Sequence, residues 1–307
     1  MGRKRTGKPI NGWIAIDKPL EMTSTAVVTK VRRLTGAAKV GHGGTLDPLA
    51  TGILPIAMGE ATKTVAYVMD GAKTYRWRVT WGESRSTDDA EGEVTATSDV
   101  RPATEQILAA LPAFTGDIEQ VPPAYSAVKI DGRRAYDLAR KDQQVELKSR
   151  IVRIDSFRLV EATPDWAEFE VGTGKGAYIR SLARDLALAL GTVGYVSMLR
   201  RTSCGPFHEG NAISLDMLEE FGHSAASANF ILPVETALDD IPALALTEEE
   251  ARRLQSGQSL SVLRLAARDT LSSIPAGITM RAMAEQRLVA LARIEDGEVR
   301  PVRVLNL

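Results

Sequence analysis

The sequence predicts an α+β fold in two domains, a large one over residues 1–240 and a small β-rich one over residues 241–307. Three observations predict it. Residues 73–81 alternate strictly, with Lys73, Tyr75, Trp77, Val79 and Trp81 on one face and Thr74, Arg76, Arg78 and Thr80 on the other, the period of a strand with one buried side. Residues 25–34 and 179–190 instead space their apolar side chains as helices do. Past Pro242 the composition shifts, and a short capped helix and a hairpin pattern fill the rest of the chain. A length of 307 residues and an apolar content of 44% suit this division and allow a sizeable core.

Taken in order, residues 13–19 read as a short strand stopped by Pro19. Ala26, Val27, Val31 and Leu34 then form a helical stripe, with Ser24 or Thr25 placed to accept from the free amides at its start. A glycine-rich loop and the apolar run 53–58 come next. In the alternating strand that follows, Tyr75 is either a core aromatic or a ring at the edge of a site. The acidic run 83–93 reads as a polar connection into another strand, with Asp89 as a turn residue. An amphipathic helix is predicted over residues 133–141; its Arg133, Arg134, Arg140 and Lys141 make either a solvated face or a clamp on RNA. Strands are predicted over 151–160 and 166–171. The glycines at 172, 174 and 176 open a helix that ends at Gly191. Ile179, Leu182, Leu186 and Leu190 make its buried stripe, which leaves Arg180 and Arg184 together on another face. In the last domain, Thr247-Glu248-Glu249-Glu250 is a capping box, Gly257 closes the helix, and residues 287–294 and 299–305 pair across a turn at 295–298.

The chemistry concentrates in Gly41-His42-Gly43-Gly44-Thr45-Leu46-Asp47-Pro48-Leu49-Ala50-Thr51-Gly52. Glycines and a proline forbid a long regular element here, and one carboxylate, one imidazole and two hydroxyls stand among residues too small to hide them. Pro48 biases Asp47 away from the helical region, so its carboxylate projects from an extended or turn conformation. By itself such a loop is either a turn or a site.

Bulk properties narrow the choice. One cysteine, Cys204, excludes an internal disulfide, and His42, His208 and His223 are too scattered in sequence for a metal site. No apolar run approaches the ~20 residues of a membrane helix, and the composition fits the cytoplasm. The net charge of −1 hides an asymmetry, since residues 1–40 carry nine Lys and Arg against two acids. Bases gathered on one face bind RNA whatever the total charge.

The string G-G-T-L-D-P-L-A-T-G, with Gly59-Glu60-Ala61-Thr62-Lys63 after it, resembles the signature of the bacterial TruB family, the tRNA pseudouridine-55 synthases. Lys18-Pro19 and Thr23-Ser24 match that family's first motif, although Glu21 stands where it has glycine. Lys175-Gly176-Ala177-Tyr178-Ile179-Arg180 matches its Lys-Gly-x-Tyr-Ile-Arg, and Leu199-Arg200-Arg201 its Leu-Arg-Arg. The likeness runs over residues 13–201 and is only positional afterwards. It implies a pseudouridine-synthase fold, with a mixed, largely antiparallel central sheet flanked by helices. It also implies an RNA-gripping insertion at about residues 122–150 and a PUA-like RNA-binding domain at the C-terminal end.

The resemblance implies that uridine 55 in the T-loop of tRNA is converted to pseudouridine on a flipped-out nucleotide. That reaction breaks the N1–C1′ bond, turns the uracil and joins C5 to C1′, with no change in redox state. It calls for no cofactor and no metal. The family's catalytic aspartate falls on Asp47, and Arg180 is its partner; a guanidinium favours the ionised carboxylate, whereas desolvation opposes it. Tyr75 is expected to stack on the base, and Leu199 and Tyr178 to belong to the uracil pocket. His42 either fills the space the base leaves or supports the loop by a hydrogen bond. Lys18, Lys63, Arg133, Arg134 and Lys175 are expected phosphate contacts, and Asp89 matches a further motif imperfectly. The expected partner is the tRNA T-arm stem-loop, bound by a monomer without membrane, obligate protein partner or guide RNA. Two readings compete with this one. A tRNA-folding chaperone needs the basic elements and no ionised acid, and a base-excision hydrolase would release free uracil.

Overall fold

The computed structural model describes residues 7–126, 129–130, 133–134, 147–221, 229–265, 274–275 and 277–307, without the side chains of 129, 130, 133 and 134. In the large domain the elements are β1 (Gly12–Lys18), α1 (Ser24–Thr35), β2 (Val40–His42), β3 (Ala50–Met58), α2 (Val65–Asp70), β4 (Lys73–Trp81), β5 (Glu83–Arg85), β6 (Val94–Thr97), α3 (Thr104–Ala110) and β7 (Gly116–Gln120). The short strands β8 (Lys129–Ile130) and β9 (Arg133–Arg134) precede β10 (Arg150–Ala162), β11 (Trp166–Thr173), α4 (Ile179–Ala189), β12 (Gly194–Cys204), β13 (Phe207–His208), β14 (Ala212–Ser214) and α5 (Leu215–Phe221). The small domain holds β15 (Ala243–Leu246), α6 (Glu248–Gln255), β16 (Leu260–Ser261), α7 (Val262–Leu265), β17 (Met280–Ala284), β18 (Arg287–Glu295) and β19 (Glu298–Val304).

One sheet carries the large domain, in the order β14-β1-β3-β12-β4-β11-β10-β7, with β2 on β3 and β13 on β12. Its pairs are antiparallel except β1 with β14 and β3 with β12. The sheet is thus mixed and largely antiparallel, as the resemblance implied. The alternation of residues 73–81 is satisfied as it reads: Trp77, Val79 and Trp81 are buried, while Arg76 points to solvent. Trp77 stacks on Phe169 of β11 with 4.8 Å between ring centroids, a pair worth about 1 kcal/mol beyond the area it buries. Leu182 and Leu186 of α4 complete that core, and Val27, Val31 and Leu34 of α1 build a second one on Ile14, Ile16, Leu54 and Ile56.

Residues of the small domain form a second sheet, β15-β17-β18-β19-β16. Thr247 caps α6 in the capping box expected, and β18 and β19 pair across a turn in which Asp296 and Gly297 both have positive φ, the geometry of a tight hairpin. This sheet is fastened to the large domain. Leu288, Leu291 and Leu305 share an apolar cluster with Trp13, Ile53 and Phe207, and the backbone amide of Asn306 donates to Glu60 at 2.7 Å.

Several local expectations are corrected. The cap of α1 is Thr23, which accepts from the amide of Ala26 at 3.1 Å, rather than Ser24 or Thr25. Arg133 and Arg134 lie in β9, paired with β8, where a helix was expected; Arg140 and Lys141 lie outside the described residues. Within α4, Arg180 belongs to the buried set with Ile179, Leu182 and Leu186, and Leu190 is its half-buried cap.

Glu21, at the position where glycine was expected, adopts φ 63°. A left-handed conformation costs a residue with a β-carbon about 1–2 kcal/mol, whereas glycine gives up about 0.5–1 kcal/mol of that through its freer unfolded chain. Glu21→Gly is therefore expected to raise unfolding stability by about 0.5–1 kcal/mol, read as a higher urea midpoint at unchanged slope.

Candidate active site

Asp47 lies in the loop between β2 and β3, and nearly every polar group beside it in the chain is held. The amide of Ala50 donates to the carbonyl of Asp47 at 3.1 Å and closes the turn over Pro48. Ser24 grips the preceding residue twice, donating to the carbonyl of Leu46 at 2.9 Å and accepting from its amide at 2.8 Å. The carbonyl of Pro48 accepts from Lys18 Nζ at 3.1 Å and from the amide of Glu21 at 2.9 Å. From below, Arg201 donates to the carbonyls of Gly44 and Ile53 at 3.0 and 2.7 Å. Gly52 is fixed by sterics: with φ 98°, a β-carbon there would stand 2.2 Å from the carbonyl oxygen of Arg201 on the neighbouring strand.

The carboxylate of Asp47 is half-exposed, its side chain 39% open to solvent. Its Oδ2 lies 3.0 Å from Nη2 of Arg180. Arg180 itself is 5% exposed, and its other contacts come from two distant segments. Nη1 donates to the carbonyl of Thr87 at 3.0 Å, Nη2 to that of Tyr125 at 2.9 Å, and Nε is 3.6 Å from Oδ2 of Asp89. Asp89 is buried in turn and accepts from the Thr87 hydroxyl at 2.5 Å and the Glu91 amide at 3.0 Å. Burial of a guanidinium costs least with its donors met and a counter-charge near, and here two carboxylates supply it.

The placement of Arg180 starts from Gln120. The buried amide side chain of Gln120 accepts from the Tyr178 backbone N–H at 2.8 Å and donates to the Tyr178 carbonyl at 3.1 Å. This docks the start of α4 against the end of β7, where an unpaired helical amide would otherwise be left. No pattern around Gln120 in the sequence signals that role.

A small cleft of about 280 Å³ opens beside the ion pair, lined by Asp47, Asp89 and Arg180 on one side and Leu49, Ala50, Val196, Ser197, Met198 and Leu199 on the other. Asp47, Arg180, Leu199 and Asp89 are thus brought together. Tyr75 does not line this cleft; it is half-buried on the core face of β4, directly across from Arg201. Burial pushes its phenol above the usual tyrosine value, the Arg201 guanidinium pulls the other way, and at neutral pH it is an uncharged phenol. Tyr178 also lies outside the lining, with the Arg150 guanidinium 5.0 Å from its ring centroid. His42 is half-buried; desolvation, and then Arg201, lower its pKa, so the imidazole is neutral. Its Nδ1 is buried with no hydrogen-bond partner among the described residues, so the supporting bond weighed for it is not made through that atom.

The expected phosphate contacts divide. Lys18 is a correction: it is 0% exposed, and its ammonium donates to the carbonyls of Pro19, Met22 and Pro48, where no phosphate reaches it. Lys63 bonds Glu60 at 2.6 Å and the carbonyl of Val304 at 2.9 Å, so it fastens the two domains. Lys175 is exposed, 3.3 Å from Asp70. The side chains of Arg133 and Arg134, and His223, lie outside the described residues. Among the described residues no group of three or more His, Cys, Asp or Glu could hold a metal ion, and no helix is long and apolar enough to cross a membrane.

Comparison with known proteins decides the family. Residues 32–179 match the model of the TruB family pseudouridylate synthase N-terminal domain, and residues 180–239 that of the tRNA pseudouridylate synthase B C-terminal domain. This chain belongs to the TruB family of pseudouridylate synthases. Among the family's curated members, a tRNA pseudouridine synthase B of Rhodospirillum rubrum is 61% identical over the whole of both chains. One of Gluconacetobacter diazotrophicus is 56% identical over 99% of this chain and all of its own. Of solved structures, a chain in a Cbf5-Nop10-Gar1 complex superposes with a TM-score of 0.73 at 26% identity, covering 100% of this chain and 90% of that one. Another, in an H/ACA RNP bound to a substrate RNA, gives 0.72 at 23% identity, covering 100% and 92%, a likeness of fold. As a TruB-family pseudouridine synthase the chain is an isomerase.

Lys18 offers a test of how the loop is braced. Desolvation lowers its pKa from 10.5 to about 8, with the charge of Asp47 opposing. Below pH 8 both folded and unfolded chains hold the proton. Between about 8 and 10.5 the unfolded chain binds a proton that the folded one has released, so this group makes the protein more stable as pH rises. Relative to Lys18→Met, the wild type should gain about 1 kcal/mol per pH unit above pH 8. Urea unfolding from pH 7.5 to 9.5 measures this, and a pH-independent difference would contradict it.

Proposed function

We propose that this TruB-family enzyme isomerises uridine 55 in the T-loop of tRNA, with Asp47 as its single catalytic carboxylate. The observation that carries the reading is the half-exposed Asp47 carboxylate, 3.0 Å from a buried guanidinium at the mouth of a small cleft. The substrate class follows from its relatives, which are named tRNA pseudouridine synthases over their full length.

The chemistry needs an anionic oxygen beside the sugar and the base, and a site that retains free uracil after the N1–C1′ bond breaks. Arg180 orients Asp47 across 3.0 Å, and its own burial makes that interaction stronger than it would be in water. Leu49, Val196 and Leu199 give the cleft an apolar wall that holds the uracil while it turns. Tyr75, an uncharged phenol, is assigned to the base by its ring rather than as a proton acceptor. C1′ is shielded within a folded T-loop, so the uridine is everted before reaction. His42, neutral and beside the loop, takes the place it leaves. Lys175 meets phosphate at the rim, and Arg133 and Arg134 do so from the insertion at residues 122–150. Residues 241–307 act as a PUA-like RNA-binding domain that extends the grip on tRNA.

A tRNA chaperone would use the same basic surfaces but has no use for an ionised acid in a cleft. The two readings part on one variant. Asp47→Asn is expected to bind a T-arm stem-loop within about threefold of wild type and to form no pseudouridine. Carbodiimide-dependent reverse-transcription stops report the product. A stop at the T-loop uridine with the Asn variant would refute the role of Asp47. No stop with the wild type, with RNA bound, would favour the chaperone.

A further inference from the structure

Beneath the loop that presents Asp47 lies a second guanidinium with no part in the chemistry described so far. Arg201 is 2% exposed on β12, in register with Tyr75 on β4 and Gly52 on β3. Its Nε donates to the carbonyl of Ile53 at 2.7 Å, its Nη2 to that of Gly44 at 3.0 Å, and its Nη1 to that of Thr45 at 3.5 Å. The phenol of Tyr75 faces the same group and is its fourth neighbour. Among the described residues no carboxylate lies within ion-pair distance of it. A buried charge met only by neutral groups is an expensive way to fill space, and an apolar side chain of like volume would do so at less cost to the fold.

What a guanidinium offers instead is direction. Its five donors lie in one rigid plane, so a single side chain fixes carbonyls on both sides of Asp47 in the chain, at Gly44 and Thr45 before it and at Ile53 after it. Tyr75 stands directly across from it on β4, close enough for the guanidinium to act on its phenol. The geometry points to Arg201 as a positioning residue for the isomerisation, holding the Asp47 loop and the Tyr75 ring in one frame so that carboxylate and ring meet the uridine in fixed relation. This rests on the assignments of Asp47 and Tyr75 above. Lysine, a point charge on a flexible stem, satisfies only some of these acceptors, and methionine none.

The test uses the full-length enzyme and tRNA transcripts carrying tritium at uridine C5, whose release reports turnover. Arg201→Met is expected to lower kcat at least 100-fold while KM and RNA affinity stay within threefold. Arg201→Lys should fall between, at least fivefold below wild type and at least fivefold above the methionine variant. Because Arg201 also acts through the Tyr75 hydroxyl, Arg201→Met and Tyr75→Phe together should lose less than the product of their separate losses. A kcat within fivefold of wild type for Arg201→Met, a rise in KM alone, no recovery with lysine, or strictly multiplicative losses would each overturn the proposal. If the methionine variant does not fold, the lysine variant decides: a fivefold or greater loss of kcat at unchanged KM supports the assignment, and a smaller one overturns it. Failure of the underlying reading is seen separately, as a wild-type enzyme that releases no tritium.

Discussion

The contact on which the site depends is the 3.0 Å pair between Arg180 and Asp47. Arg180 is nearly sealed from solvent, and four groups from three other parts of the chain converge on it: Asp47, the Thr87 carbonyl with Asp89, and the Tyr125 carbonyl. The guanidinium ties these three irregular segments to one another. The dependence is mutual, because withdrawing one acceptor from a buried cation leaves a desolvated charge and costs several times what an exposed pair would. The root of the insertion, the acidic connection and the glycine-rich loop are thereby locked to one helix end, which Gln120 in turn fixes to the sheet.

The loop is stiff where a glycine-rich sequence would suggest slack. Ser24, Lys18, the Glu21 amide and Arg201 take up the carbonyls of residues 44, 46 and 48 and the amide of residue 46, so that little of the backbone is left to solvent motion. Glycine serves here for close approach rather than looseness, most plainly at Gly52, where strand β3 runs against β12. With Asp47 proposed as the single catalytic carboxylate, preorganisation of this kind matters, since misplacement by an ångström is not made good by a second residue. Lys18, one of the cations that brace the loop, also interacts with the charge of Asp47.

How much of this was legible in the sequence follows the range of the signal. Patterns that live within ten residues hold in the structure: the alternation of β4, the stripe of α1 at Val27, Val31 and Leu34 though not at the exposed Ala26, the capping box at Thr247 and the hairpin over β18 and β19. The loop with Asp47 was visible by its composition, and its partner Arg180 through the family motif. Periodicity alone put Arg180 on an outer face, because helical spacing weighs hydrophobicity and cannot see four acceptors arriving from elsewhere. Lys18 was assigned to phosphate on its charge, and the carbonyls that enclose it have no side-chain signature. Ser24 and Thr23 are equally good caps in sequence, and only the approach of Leu46 separates their roles. In the insertion, the charges suggested a helix; the Asp-Gly pair between Ile130 and Arg133 is the stronger, hairpin-forming signal, and the short strands there agree with it.

On the role proposed for it, Arg180 aims the Asp47 carboxylate, which matters for turnover rather than for holding RNA. The most direct measurement is the single-turnover rate of Arg180→Met on a T-arm stem-loop at saturating enzyme, with RNA affinity measured in parallel. The account predicts a rate at least 100-fold below wild type with affinity within threefold. A rate close to wild type, or a loss accounted for entirely by weaker binding, would contradict it.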